Sequence, residues 1–178
     1  MPLMLKLPLV ALVLLLAACR GDPIQYHTLS PAQPAGQPRT NMDIQLEQVS
    51  VPPQVDRAQM VIRQGNSGLA ILETQWWGAS LADELRSSLD EQLSNPGAAK
   101  LLLRVDVQRF DSIPGQYARM DVQWRLRELG NEAHTLTCRN SLQTPAGSSI
   151  DELVTAHQQN VRQFVGLVEQ AATKMRCP

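Results

Sequence analysis

Three consecutive segments in the second half of the chain alternate apolar and polar side chains, and this pattern limits the fold more than any other feature. Apolar residues occupy every second position of 101–107 and of 120–126. After a turn over 129–132, the side chains on one face of the third segment are His134, Leu136, Cys138 and Leu142. Alternation with a period of two is typical of half-buried strands. It predicts an antiparallel meander with one dry and one wet face.

A long amphipathic helix is predicted after the meander. Ser149 and Glu152 have the spacing of a capping box, in which each residue satisfies a backbone amide of the other. Apolar residues from Ile150 to Met175 then recur at helical spacing on one side. We expect this helix to cover the dry face of the sheet.

The first half of the folded region predicts three further strands. The first begins near Met42, its alternation shifts phase at 49–51, and two prolines end it. Short strands follow over Gln59–Gln64 and Leu69–Thr74, joined by a tight turn.

A shorter helix completes this half. Ser80 is the predicted N-cap, and the acidic pairs Asp83–Glu84 and Asp90–Glu91 are read as solvated. The apolar face contains Leu81, Leu85, Leu89 and Leu93. The order βββα–βββα predicts an α+β two-layer sandwich, with a largely antiparallel or mixed sheet covered by two helices.

The N-terminus has the composition of a secretory leader. Lys6 precedes an apolar run over 7–16, which is shorter than the roughly 20 residues needed to span a bilayer. The sequence at 16–19, Leu-Ala-Ala-Cys, resembles the bacterial lipobox. We therefore predict a signal peptide over 1–18 and lipid on Cys19, which becomes the mature N-terminus. The alternatives are an ordinary signal with a chance cysteine, or a short membrane anchor.

The residues after Cys19 suggest how the protein is held. Residues 19–40 are rich in proline and show little periodicity, which predicts a flexible tether ahead of one domain over 41–178. Its one ordered-looking element is Tyr26-His27-Thr28-Leu29. Aspartate at position 20 would resemble the inner-membrane retention signal of enterobacteria. Arg20 instead favours the outer membrane, with the domain facing the periplasm.

Two cysteines remain beside Cys19. Cys138 lies on the predicted dry face, and Cys177 ends the helix expected to cover it. An even pair in an oxidising compartment predicts a disulfide. Two free thiols are the alternative, because Cys177 is one residue from the C-terminus.

The sequence gives no sign of catalysis or of nucleic-acid binding. The formal net charge of −1 provides no basic field to attract nucleic acid. The histidines and cysteines lack metal-ligand spacing, and no serine has a nucleophile-elbow context. We expect a non-enzymatic protein with no metal and no cofactor other than the covalent lipid on Cys19.

Trp76 and Trp77 are unusual in a chain with only 4% aromatic residues. Neighbours on a strand point to opposite sides, so one ring is expected in the core and the other outside. The outward ring either staples the helix start or contacts a partner or lipid. Trp76 is favoured as the outward one.

Several short motifs, in order, resemble the ABC-type transport auxiliary lipoproteins, a PqiC-like family of intermembrane transport lipoproteins. They are Tyr26-x-x-Leu29, the segment from Val51-Pro52 to Val55-Asp56-Arg57-x-Gln59, Trp77 with Leu81 and Leu85, and Leu103-x-Val105-x-Val107-x-x-Phe110-Asp111. Ala58 and Leu81 stand where proline is frequent in the family. Both are positions of local stiffening, so these departures remove no functional group.

The resemblance implies a non-catalytic component of a lipid-trafficking system. Family members accompany MCE-domain proteins and ABC or other integral membrane transporter components, so a docking role in the envelope is expected, and a homo-oligomer would suit it. The candidate partner contacts are Arg57, Trp76 and Trp77. The alternative is a structural or assembly scaffold of another envelope complex. Direct lipid binding is a third reading that would require a large apolar cavity.

Overall fold

The structure, a computed structural model, describes residues 21–32, 42–95 and 99–178, and these form seven strands and two helices. The strands are β1 (Gln25–His27), β2 (Met42–Ser50), β3 (Gln59–Gln64), β4 (Gly68–Trp77), β5 (Ala99–Ile113), β6 (Tyr117–Glu128) and β7 (Asn131–Pro145). The helices are α1 (Leu81–Leu93) and α2 (Ile150–Lys174). The predicted signal peptide, Cys19 and residues 20 and 33–40 of the predicted tether lie outside the described residues, as does the side chain of His134.

The larger sheet has the strand order β2-β5-β6-β7 and contains the predicted meander. β5, β6 and β7 pair antiparallel, and alternate side chains of β6 are buried from Ala118 to Leu126. Both helices pack against this buried face. The α+β class with two covering helices is confirmed.

The strands divide between two mixed sheets, whereas the sequence suggested a single one. Although β2 belongs to the first half of the chain, it pairs parallel with β5 in the larger sheet. A register shift between Leu46 and Gln48 gives it the expected change of phase. A smaller sheet has the order β1-β4-β3, and its β3 has the predicted bounds. β4 continues to Trp77, past the predicted end at Thr74, because β1 pairs with Gln75–Trp77.

Both helices begin as the sequence predicts. The Ser80 hydroxyl accepts a hydrogen bond from the Asp83 amide, and Ser149 and Glu152 form the complete capping box. The four predicted leucines of α1 are buried. Among the described residues, neither helix is long and apolar enough to cross a bilayer.

The disulfide expected between Cys138 and Cys177 is present, and it closes a separation of 39 residues. It links β7 to the residues just after α2. A loop of this length corresponds to about 4 kcal/mol of stabilisation in the chain-entropy view. The covering helix is therefore fixed to its sheet at its C-terminal end.

Residues 25–29, which we call the N-terminal segment, include the one ordered-looking part of the predicted tether, and they are folded into the domain. β1 pairs parallel with β4, and Leu29 is fully buried in the core. The cause is Glu84, which the sequence placed on a solvated face but which is buried. Its Oε2 accepts hydrogen bonds from the Leu29 amide (2.9 Å) and the Thr28 hydroxyl (2.8 Å).

Further contacts fasten the N-terminal segment to both helices. The Ser88 hydroxyl of α1 donates to the Leu29 carbonyl at 3.0 Å, and the side-chain Nε2 of Gln158 on α2 donates to the Thr28 carbonyl at 2.9 Å. The Gly78 amide donates to the His27 carbonyl at 2.9 Å. A Cβ at Gly78 would stand 2.9 Å from Oε1 of Glu84, so a larger residue here would displace the Glu84 carboxylate.

Replacing Leu29 tests whether the segment belongs to the domain. Leu29→Ala should lower the free energy of unfolding by about 2–5 kcal/mol, because it leaves a cavity in the core. Urea unfolding of the mature protein measures this. Leu69→Ala, at a leucine that is 44% exposed, is the matched control and should cost less than about 1 kcal/mol. Equally small losses of stability for both variants would show that the N-terminal segment does not contribute to the domain core.

Candidate functional site

The two adjacent tryptophans have different environments. Trp77 is 2% exposed and packs edge-on against Phe110 and His157, with ring centroids 6.4 Å from each. It therefore has no surface to offer, and its nomination as a partner contact is corrected to a core role. Trp76 is partly exposed, and its indole N–H donates to the Glu73 carbonyl at 2.9 Å.

Trp76 stands in a small group of accessible apolar side chains. The ring of Tyr26 meets it edge-on at 6.3 Å, and Tyr26 is 66% exposed. Ile24, two residues before Tyr26, is 43% exposed. We call Ile24, Tyr26 and Trp76 the apolar edge. It stayed hidden in the sequence because the pairing of β1 with β4 joins positions 50 residues apart.

Arg57 lies near the same end of the smaller sheet. The carbonyl of the next residue, Ala58, accepts a hydrogen bond from the Trp77 amide at 2.6 Å. Arg57 is partly exposed, and its Nε is buried without a hydrogen-bond partner. The chain thus brings Arg57 near the tryptophan pair, and its role as a partner contact stays a prediction.

A serine–histidine pair, which the sequence did not reveal, lies inside the domain. Ser112 Oγ and His157 Nε2 are 2.8 Å apart, and the His157 ring stacks on Phe110 with centroids 4.0 Å apart. Burial lowers the pKa of His157 to about 3. The helical spacing of His157 from Leu153 and Val154 would have indicated its inward direction.

This pair lacks what nucleophilic catalysis requires. Ser112 is 2% exposed and His157 is fully buried, so a substrate has no access. His157 Nδ1 has no hydrogen-bond partner, so no third group orients the ring as in a catalytic triad. The geometry therefore favours a structural role for both residues. Over the ranges that the structure describes, no cluster of three or more His, Cys, Asp or Glu side chains is arranged to hold a metal.

A cleft of about 310 Å³ lies between the smaller sheet and the end of β5. The Arg63 guanidinium donates to Oδ1 of Asp111 from Nε (3.0 Å) and Nη2 (2.8 Å), and Arg109 also pairs with Asp111. The volume of the cleft is at the low end of the range for ligand pockets, and charged groups line the cleft. The cleft does not provide the large apolar cavity that direct lipid binding would need.

The face of the larger sheet opposite the helices carries polar and charged side chains, and we call it the open face. Its ionic residues include Glu47, Arg104, Asp106, Arg119, Asp121, Arg125, Arg127 and Arg139. Arg119 pairs with Asp121 and Arg127 with Glu47, each at 2.9 Å. Burial raises the pKa of Asp121, but hydrogen bonds from Arg119 and Ser141 outweigh it and the net pKa is lowered.

Two arginines of the open face stand directly opposite each other. Arg104 on β5 is the register partner of Arg125 on β6, and both are exposed. Neither side chain makes a hydrogen bond or ion pair with another residue in the described part of the chain. Like charges facing each other across strands are destabilising. The nearby carboxylate, Asp106, instead accepts a hydrogen bond from Ser50 at 3.0 Å.

The buried histidine makes stability depend on pH. The pKa of His157 is about 3 in the folded state, against about 6.5 when unfolded, so the unfolded state binds the extra proton first. This contribution is complete above pH 6.5 and is lost as the pH falls toward 3, by about 1.4 kcal/mol per unit. From pH 7 to pH 5 the wild type should lose about 2 kcal/mol more than His157→Gln. Urea unfolding at both pH values measures this, and equal losses would contradict the assignment.

Comparison with known proteins agrees with this architecture. The family model for the ABC-type transport auxiliary lipoprotein component matches residues 27–168. In the comparison with curated proteins, no sequence matches the chain. The crystal structure of an uncharacterized protein superposes with a TM-score of 0.67 at 20% identity, covering 85% of this chain and 99% of that one.

A second crystal structure, of a DUF330-family protein from Xanthomonas campestris, gives a TM-score of 0.63 at 17% identity. It covers 83% of this chain and 94% of that one. At these identities the two structures show a shared fold. The family model spans most of the chain, including the N-terminal segment from His27 onward, the open face and most of α2. The chain therefore belongs to the family of ABC-type transport auxiliary lipoprotein components.

Proposed function

We propose that this protein is a non-catalytic docking component of an envelope lipid-transport system, anchored in the outer membrane by lipid on Cys19 and facing the periplasm. Its partners would be an MCE-domain protein and ABC or other integral membrane transporter components. The family match over 27–168 supports the auxiliary role. The Leu-Ala-Ala-Cys sequence at 16–19 and Arg20 support the anchor and its membrane.

The observation that carries docking is the open face with its unpaired arginines. Both helices cover the other side of the larger sheet, and no helix or strand of the described residues covers this face. Arg104 and Arg125 present two positive charges that form no ion pair with a described carboxylate. An acidic protein surface would relieve their repulsion and gain charge-assisted hydrogen bonds. A partner with paired carboxylates is therefore the occupant that fits.

The anchor gives such docking its strength. A lipidated N-terminus confines the domain to the membrane surface, so even a weak protein contact benefits from a high effective concentration. Charge complementarity adds speed and selectivity of encounter more than affinity. A component that receives a transport assembly needs these properties and no active site.

A pull-down from native envelopes in mild detergent tests the proposal. The tagged, lipidated wild type should recover an MCE-domain protein or an ABC permease. Arg104→Glu/Arg125→Glu should recover about tenfold less, because two attractive contacts become repulsive. The matched control is Arg86→Glu/Arg162→Glu, with the same change of charge on α1 and α2, and it should retain recovery.

The other outcomes are also informative. Recovery of peptidoglycan-linked or outer-membrane assembly proteins alone would contradict the transport role and favour a scaffold. Equal recovery by both double variants would retain the partner and rule out the open face as its site.

A further inference from the structure

The exposed apolar residues nearest to Cys19 in the sequence lie on the apolar edge. Ile24 and Tyr26 are 43% and 66% exposed, and the Tyr26 ring packs edge-on against the partly exposed Trp76. Exposed aromatic rings are costly in water, and this chain has few of them. Their grouping at one end of the smaller sheet therefore calls for an occupant.

The length of chain between Cys19 and the domain identifies that occupant. Only five residues lie between Cys19 and Gln25, the first residue of β1. Fully extended, the six steps from the Cα of Cys19 to the Cα of Gln25 span about 20 Å. β1 cannot move outward to lengthen this link, because Leu29 is buried and Glu84 holds its amide. Acyl chains on Cys19 would thus keep the apolar edge within about 20 Å of the bilayer.

We propose that the apolar edge inserts into the interface of the membrane that holds Cys19, and so fixes the orientation of the domain on it. The inference rests on the proposed lipid anchor. Tyrosine and tryptophan rings favour the boundary between headgroups and acyl chains. The Trp76 indole N–H is already satisfied by the Glu73 carbonyl, so its ring can enter this boundary without losing a hydrogen bond.

The charges beside the apolar edge predict which lipids it needs. Asp22 and Glu73 are both exposed and acidic, one close in sequence to Ile24 and the other bonded through its carbonyl to Trp76. They offset the positive charge of Arg57, which lies near the same end of the smaller sheet, so there is no net attraction for anionic headgroups. The contact is therefore apolar in origin, and it should form on zwitterionic phosphatidylcholine and change little with salt.

Quenching of Trp76 fluorescence by brominated lipid tests the contact. The full, lipidated protein is reconstituted in phosphatidylcholine vesicles brominated near the headgroup end of the acyl chains. Trp77 and Trp124 are buried in the core, so Trp76 is the tryptophan within reach of lipid. Wild-type emission should fall by about a fifth relative to unbrominated vesicles, and Trp76→Phe should lose at least two thirds of that quenching.

Two further variants separate insertion from simple proximity. Tyr26→Ser should reduce the quenching of Trp76 at least twofold, because it removes the neighbouring ring from the edge. Leu129→Ser, at a leucine that is 54% exposed in the turn between β6 and β7, is the matched control and should leave quenching unchanged. Unchanged melting temperatures verify that both variants fold.

Flotation and mass spectrometry of the N-terminus distinguish the two levels of failure. A wild type that carries no acyl chains and does not float with vesicles refutes the anchor itself. An acylated, floating protein whose Trp76 is not quenched overturns the insertion alone. A photocrosslinker replacing Tyr26 should capture phospholipid, and capture of protein instead would also overturn it.

Discussion

The buried carboxylate of Glu84 holds the N-terminal segment to the folded domain. One of its oxygens accepts hydrogen bonds from the Thr28 hydroxyl and the Leu29 amide, and the Leu29 side chain fills the core. A buried carboxylate is costly unless it is hydrogen-bonded, so the segment and α1 stabilise each other. Because of this contact, the N-terminal segment is an ordered part of the domain. The position of the domain relative to any lipid on Cys19 depends on it.

The same arrangement assigns different roles to the surfaces of the molecule. The helices cover one face of the larger sheet, and the disulfide from Cys138 to Cys177 fixes α2 there. The opposite face stays polar, with Arg104 and Arg125 uncompensated. In the smaller sheet, the pairing of β1 with β4 places the apolar edge at the strand that lies nearest to Cys19 in the sequence. A docking lipoprotein needs a surface for its partner and a surface for its membrane, and these are our proposals for them.

Local patterns in the sequence predicted most of the fold. The alternation in β5, β6 and β7 and the capping signals of Ser80 and Ser149 depend on neighbours within a few residues. They specify elements without reference to the rest of the chain. The disulfide also followed from these patterns, because one cysteine lay on the dry face and the other at the end of the covering helix.

The features that were missed depend on distant partners. β1 has three residues, too few for a periodic signal. The segment is held by hydrogen bonds between distant positions: His27 with Gln75, 48 positions away, and Leu29 with Glu84, 55 positions away. The burial of Glu84 could not be predicted from its neighbours in the sequence, since a carboxylate on a helix is usually solvated. Its spacing of three from Leu81 was the available clue, as was the helical spacing of His157 in α2.

Hydrogen exchange of the N-terminal segment tests the central claim most directly. In the intact protein, the Leu29 amide should exchange at a rate within about tenfold of the buried amides of α1, because both open only when the domain core opens. Protection of this kind would place the segment inside the cooperative unit and keep the domain close to its anchor. Exchange of Leu29 at the rate of an unstructured peptide, while α1 stays protected, would contradict the account.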